Sequence, residues 1–346
     1  MTTRIEIDLD AFRHNVRTLA AIAAPARTML AVKADGYGHG MVPIARAALE
    51  SGADSLAVLD VTAALALREA GIDAQLFAWL HGADTDFRAA IDAGIDLGVS
   101  SLLELERIVA AESDQVAAVH LKIDTGLHRN GASPEDWPAL VRAALSAEGR
   151  VRIAGLWSHL ADASLEADEA ALAEFHAAVA VAAGLGVPTE GDDRPILHLA
   201  ASSAGIRMPA ARMDLVRFGI AAYGSSPFDD TPARDLGMRA PMTVIGTVLE
   251  SRDGIALIDL GSADGIPPSG SGAQVLVGGV RAAVTTVGID TLEVAATATV
   301  GDEVVVFGPG DQGEPTAEEW AAWAGTIGDE ILARASTRIP RVYLND

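Results

Sequence analysis

The 346-residue chain has no cysteine, which excludes disulfides and thiolate metal ligands. It has little positive charge: 25 Lys and Arg stand against 48 Asp and Glu, for a formal net charge of −23. Such a surface repels phosphates, so nucleic acid is not an expected partner. No apolar run reaches the roughly 18 residues of a membrane span. The opening Met-Thr-Thr-Arg-Ile-Glu-Ile-Asp carries no apolar leader segment, and a soluble, cytoplasmic protein is expected. Lysine is the scarcest basic residue, with only Lys33 and Lys122 against 23 arginines. Arginine does not give up its proton at working pH, so it cannot form a Schiff base. Both lysines end strand-like apolar runs, Thr28–Lys33 and Val119–Lys122. A drift of composition toward arginine would also leave two stray lysines, so their surroundings must decide between the two readings.

Half the residues are hydrophobic, enough for a large core. The first two-thirds alternates short apolar runs with helical stretches. Eight strands are predicted at Met29–Lys33, Ser55–Leu59, Gln75–Leu80, Asp96–Ser100, Ala117–Ile123, Arg152–His159, Ile196–Ala200 and Leu215–Ala221. Helical spacing lies between them, as at Val61–Ala70, Leu102–Ala111 and Ala170–Ala183. N-caps are predicted at Asp60, Asp84, Ser101 and Ser133, with Pro134 in the first helical position. Apolar strands alternating with helices predict a parallel sheet covered on both faces, and eight such units predict an α/β fold of (β/α)8 barrel type. A helix over 10–23 precedes the first barrel strand.

Beyond a Ser- and Pro-rich linker at 225–232 the character changes. Val- and Thr-rich runs punctuated by Gly predict strands at Thr243–Leu249, Gly254–Asp259, Ala273–Val277, Arg281–Val287 and Glu303–Phe307. A short helix at Glu318–Ala324 and a closing strand at Arg338–Leu344 follow. The expectation is a barrel over 1–228, its first residues joining the second domain, and a smaller, mainly antiparallel β domain over 229–346.

In a parallel barrel the chemistry sits at the carboxyl ends of the strands. Lys33 ends the first predicted strand, Lys122 falls late in the fifth and His159 ends the sixth, while His198 lies in the seventh and Arg217 in the eighth. Such groups on barrel strands are costly unless they pair or bind something.

The stretch Ala31-Val32-Lys33-Ala34-Asp35-Gly36-Tyr37-Gly38-His39-Gly40 resembles the pyridoxal 5′-phosphate signature of the alanine racemase family. His120–Gly126 with Arg129 and Gly131, Gly155–His159, Val216–Gly224, and the closing Ser336, Arg338, Pro340 and Arg341 are similar to its later motifs, in order. The resemblance implies that Lys33 is the Schiff-base lysine and an acid/base at the substrate Cα. It implies that Tyr37, Ser202 and the amides of Gly219 and Ile220 hold the cofactor phosphate. Arg217 would meet the pyridine nitrogen with His159 behind it, and Arg129 would contact the cofactor's phenolic oxygen and the substrate carboxylate. Lys122 matches a lysine that is carbamylated in many members. The implied protein is a homodimer that shares its active site and acts on a small amino acid, L-alanine to D-alanine for cell-wall precursors. No metal is implied; lyases of this fold that use zinc need His and Cys or Asp ligands in the second domain, which here has no His and no Cys.

The chain departs from the pattern at several positions. The family's second base is a Tyr in a Gly-Tyr-Ala-Asp-Gly context. Here the stretch is Gly261-Ser262-Ala263-Asp264-Gly265, and the three tyrosines are Tyr37, Tyr223 and Tyr343. Thr337 replaces a phosphate-binding Tyr, Ala201 stands where Asn is usual, and Ile289-Asp290 keeps only the Asp of a Met-Asp motif. Three readings follow: a racemase in which Ser262 or a water makes the second proton transfer; a lyase, decarboxylase or epimerase in which Lys33 works alone; and a non-catalytic cofactor-binding protein.

Overall fold

The computed structural model describes residues 3–268 and 272–345. Met1, Thr2 and Asp346, the ends of the two expected domains, lie outside them. Contacts divide the chain into two compact units. One comprises Leu19–Lys33 and Gly52–Gly219; the other comprises Met1–Thr18, Ala34–Ser51 and Ile220–Asp346. The expected cut after 228 follows chain order, whereas each contact unit draws on separate stretches of the chain.

The described strands, in chain order, begin with β1 at Arg4–Asp8 and β2 at Arg27–Ala31. Then come β3 at Ser55–Val58, β4 at Gln75–Ala78, β5 at Ile95–Val99 and β6 at Ala117–Lys122. Next are β7 at Val151–Trp157, β8 at Ile196–His198, β9 at Leu215–Phe218, β10 at Met242–Arg252 and β11 at Ile255–Ile258. The last are β12 at Gln274–Val277, β13 at Val280–Val287, β14 at Leu292–Val294, β15 at Glu303–Phe307 and β16 at Arg341–Leu344.

Strands β2 to β9 form the expected eight-stranded sheet, in the order β8-β7-β6-β5-β4-β3-β2-β9, and every described ladder in it is parallel. Among the described residues no ladder joins β8 and β9, but Asp214 N–H donates to Leu197 O (3.1 Å) and Arg217 N–H to Ala200 O (3.1 Å). These bonds close the barrel. Met29, Ala57, Phe77, Trp157 and Leu215 pack together as an apolar core contributed by five barrel strands. Gly155 faces His120 across the β6–β7 ladder, and a Cβ there would overlap the imidazole. Glycine at 155 is what lets a His ring lie at this place.

Helix starts follow side-chain capping. Asp60 accepts from Ala63 N–H at 2.9 Å and Ser101 from Glu104 N–H at 3.2 Å, as expected. Two predicted starts move. Asp86, not Asp84, caps the helix Phe87–Asp92, because its carboxylate is the one that reaches an orphan amide, that of Ala89. Ser133 and Pro134 form a turn ahead of the helix, which starts at Trp137 with Pro138 in its first turn. Strand β2 also stops at Ala31, two residues short of Lys33.

In the other unit, β10, β11, β14, β13, β12 and β15 form a closed antiparallel circuit, since β10 pairs with both β11 and β15. β1 adds to β10, and β16 pairs parallel to β1. β14 and the helix Gly328–Ala333 have no counterpart among the predicted elements: three and six residues are too short to show a period.

Candidate functional site

Lys33, Lys122, Arg129, His159, Ser202, Arg217 and Gly219 all lie in the barrel unit, at or beyond the carboxyl ends of its strands. Lys122 is the last residue of β6, His159 follows β7 by two residues, and Arg217 lies within β9. The order of strands places β9 between β2, which leads to Lys33, and the β8–β7 side, which leads to His159.

Arg217 is buried and held on all sides. Its Nη1 donates to His198 Nδ1 (2.9 Å) and His198 O (3.0 Å). The two N–H of its Nη2 are shared among Ser158 O (2.8 Å), Leu199 O (3.0 Å) and His159 Nδ1 (3.2 Å). Both terminal nitrogens are therefore committed. Its Nε–H has no acceptor among the described residues and is the one donor left for a ligand. Burial pushes the guanidinium down to about 9, which still leaves it a cation at neutral pH.

The cations around Arg217 are packed closely for their burial. Trp157 lies under two of them, with Lys122 Nζ 4.9 Å and Arg217 Cζ 5.1 Å from its ring centre. Burial, then Arg217 and Arg129, bring the Lys122 amine down to about 8. Its Nζ donates to Asn130 O (3.0 Å) and to Asn130 Oδ1. His159 is pushed well below the ordinary imidazole value by burial and then by Arg217, Arg129, Lys122 and Lys33, so it stays neutral. Arg129 is exposed at the rim. Ser202 opens the helix Ser202–Arg207, and its hydroxyl accepts from Gly219 N–H at 3.0 Å. The two residues predicted to share a phosphate are thus already joined.

The other unit holds Tyr37, Ile220, Ser262, Asp290 and Thr337. Immediately after Lys33 the backbone turns left-handed through Ala34 (φ 52°), Asp35 (φ 54°), Gly36 (φ 60°) and Tyr37 (φ 49°). This costs about 1–2 kcal/mol for each residue with a Cβ. The turn is held by several bonds. Asp35 accepts from Met41 N–H (2.8 Å), and His39 Nδ1 faces Tyr37 O (2.9 Å) and Gly36 O (3.1 Å). Arg341 clamps Gly38 O through Nη2 (2.9 Å) and Nε (3.2 Å). A Cβ at Gly38 would overlap Leu332 O, and one at Gly40 would overlap the Tyr343 hydroxyl. Tyr37 is buried against Tyr223 with ring centres 4.5 Å apart.

Ser262 starts a short 3-10 turn, Ser262–Asp264, and is half-buried. Its hydroxyl has no partner among the described residues, while its N–H donates to Gly288 O (2.9 Å). Asp290 accepts from Arg338 Nη2 at 3.2 Å. Thr337 is exposed in the turn before β16. The sequence pattern assigns no role to His198, His120 or Asp96. Their polar side chains lie within apolar strand runs, the one signal that would have found them.

The family models for the alanine racemase N-terminal and C-terminal domains match residues 7–227 and 246–343. The alanine racemase of Thermobifida fusca is 42% identical over 97% of this chain and 96% of its own length. That of Streptomyces coelicolor is 40% identical over 100% and 97%. The solved S. coelicolor alanine racemase superposes with a TM-score of 0.94 over 100% of this chain and 98% of that one. The Corynebacterium glutamicum enzyme, at 29% identity, superposes with 0.90 over 99% and 100%. With a parallel barrel, a closed antiparallel β domain and both domain models matched in order, the chain belongs to the alanine racemase family.

Proposed function

We propose that the chain is a pyridoxal 5′-phosphate-dependent racemase that interconverts L- and D-alanine. The observation that carries the reading is the unused Nε–H of Arg217. It is a donor held in place by the bonds of both terminal nitrogens, on the strand that pairs with β2, the strand leading to Lys33. A pyridine nitrogen is an acceptor that fits it. The cofactor, when bound, makes the substrate's Cα–H bond acidic.

The chain's own groups do the rest. Lys33 holds the cofactor covalently and moves a proton at Cα on one face. Arg217 would orient the ring while keeping its own proton. Ser202, Gly219, Ile220 and Tyr37 bind the phosphate. Arg129 binds the substrate carboxylate. Lys122, as a carbamate, would give Arg129 an anionic partner. On the other face Ser262, or a water it binds, handles the second proton from the β domain of a partner subunit, in a homodimer. Asp290 accepts from Arg338, the residue after Thr337, in that domain. A serine hydroxyl is a weaker acid than a phenol, and loss of a general base costs about 10²- to 10⁴-fold in rate. Racemisation slower than in a tyrosine-bearing enzyme is therefore expected.

Incubation with pyridoxal 5′-phosphate and then borohydride should label Lys33, with no label in Lys33→Ala; an unlabelled wild type ends the cofactor assignment. In heavy water, both alanine enantiomers should exchange the Cα proton and invert. Ser262→Ala should slow inversion and Ser262→Tyr should speed it, with exchange retained in both. Exchange that never leads to inversion would favour chemistry by Lys33 alone.

A further inference from the structure

A line of four buried side chains runs through the apolar barrel interior and ends on Arg217. Asp96 lies on β5, His120 on β6, His198 on β8 and Arg217 on β9. Arg217 Nη1 is 2.9 Å from His198 Nδ1. His198 Nε2 is 2.8 Å from His120 Nδ1, and His120 Nε2 is 3.1 Å from Asp96 Oδ2. Asp96 also accepts from Gln75 Nε2 at 2.6 Å. The rings lie against Phe77, at 4.7 Å for His120 and 5.5 Å for His198, and His198 stacks on Trp157.

Arginine can only donate, and this fixes every proton in the line. His198 Nδ1 must accept, so its proton is on Nε2. That N–H donates to His120 Nδ1, so the proton of His120 is also on Nε2. The last N–H ends on the carboxylate of Asp96. Protonating His198 would set its Nδ1–H against an Arg217 N–H inside an apolar core, so it stays neutral. Burial and then Arg217 hold His198 well below its ordinary value. For Asp96, burial alone would raise the carboxyl, but the bonds from His120 and Gln75 outweigh it and keep it ionised.

We propose that Asp96 is a positioning residue for the reaction: acting through His120 and His198, it fixes the guanidinium of Arg217 so that its Nε–H meets the cofactor's ring nitrogen. The proposal rests on the racemase reading. It differs from simple core filling because it assigns a direction to each proton and an endpoint to the line.

The test uses the full-length protein. Nitrogen NMR of wild type should show both imidazoles as Nε2–H tautomers, with His198 not titrating from about pH 6 to pH 9, a range in which free imidazole changes charge. Asp96→Leu removes the endpoint. Gly155→Ala keeps all four residues but puts a Cβ where the His120 ring lies. Asp96→Asn keeps an acceptor and removes only the charge. Asp96→Leu and Gly155→Ala should shift the absorbance of the bound cofactor and lower kcat by about 10- to 100-fold, as loss of an outer partner of an oriented His does. KM should change little, and Asp96→Asn should recover most of the loss. If the variants lower only the melting temperature, with absorbance and kcat as in wild type, the proposal is overturned. An Nδ1–H tautomer at either ring overturns it while racemase activity stands. The stated tautomers in a wild type that forms no adduct at Lys33 would overturn the racemase reading and, with it, the assigned target of Arg217.

Discussion

Replacing Lys122 with Met removes a cation that the barrel holds at a cost. Lys122 is 2% exposed. Burial, Arg217 and Arg129 lower its amine from 10.5 to about 8. By linkage, the charged form is therefore disfavoured in the folded state by about 3 kcal/mol. Below about pH 8 both folded and unfolded chains carry the proton, and the full cost is present. Between pH 8 and 10.5 the unfolded chain holds more protons than the folded one, so wild-type stability rises with pH. Above that range neither state is charged and the cost is gone. Lys122→Met has no such dependence. At pH 7 it should be more stable than wild type by about 1–2 kcal/mol, after roughly 1 kcal/mol is lost where Asn130 must turn to water. Above pH 8 that advantage should shrink by about 1.4 kcal/mol per pH unit. Urea midpoints from pH 7 to pH 10, at one protein concentration and free of carbon dioxide, measure the difference. A difference that does not vary with pH refutes the reasoning. Added bicarbonate supplies a second arm. Carbon dioxide adds to the neutral amine with release of a proton, and the resulting anion beside Arg217 and Arg129 should stabilise wild type but not Lys122→Met.

Two further outcomes concern the loop after Lys33. Gly38→Ala puts a Cβ against Leu332 O at a φ of +79°, and should weaken cofactor retention in equilibrium dialysis while leaving the barrel's melting transition in place. His39 is fully buried, and burial lowers its imidazole from 6.5 to about 4. The unfolded chain binds the proton first, so acidification from pH 6.5 to pH 4 should remove about 3 kcal/mol. His39→Gln should flatten that acid limb in urea titrations, and an unchanged limb would show that other groups set it.

Much of this protein was legible in its residues. The eight barrel strands follow from apolar runs of strand length alternating with helical spacing, because a sheet covered on both faces needs apolar residues at every position. Lys33 stood out because lysine is scarce and a ten-residue motif surrounds it. Boundaries moved where capping is decided by which side chain reaches an amide, as with Asp86 over Asp84. β14 and the helix Gly328–Ala333 were missed because their periods are too short to register.

By itself the sequence determined the architecture, the family and the two lysines, since all three rest on local pattern and residue type. Only the tertiary structure decided what the lysines' neighbours do. It showed that Lys122 shares the Trp157 ring with Arg217 and has an amine brought down to about 8. It also showed that Arg217 has one N–H left over and a line of imidazoles behind it ending on Asp96. Residues 96, 120, 198 and 217 are far apart in the chain, and barrel closure alone brings them within hydrogen-bond reach. Hydrogen bonding and burial then set their protons and charges, and neither can be read from sequence spacing.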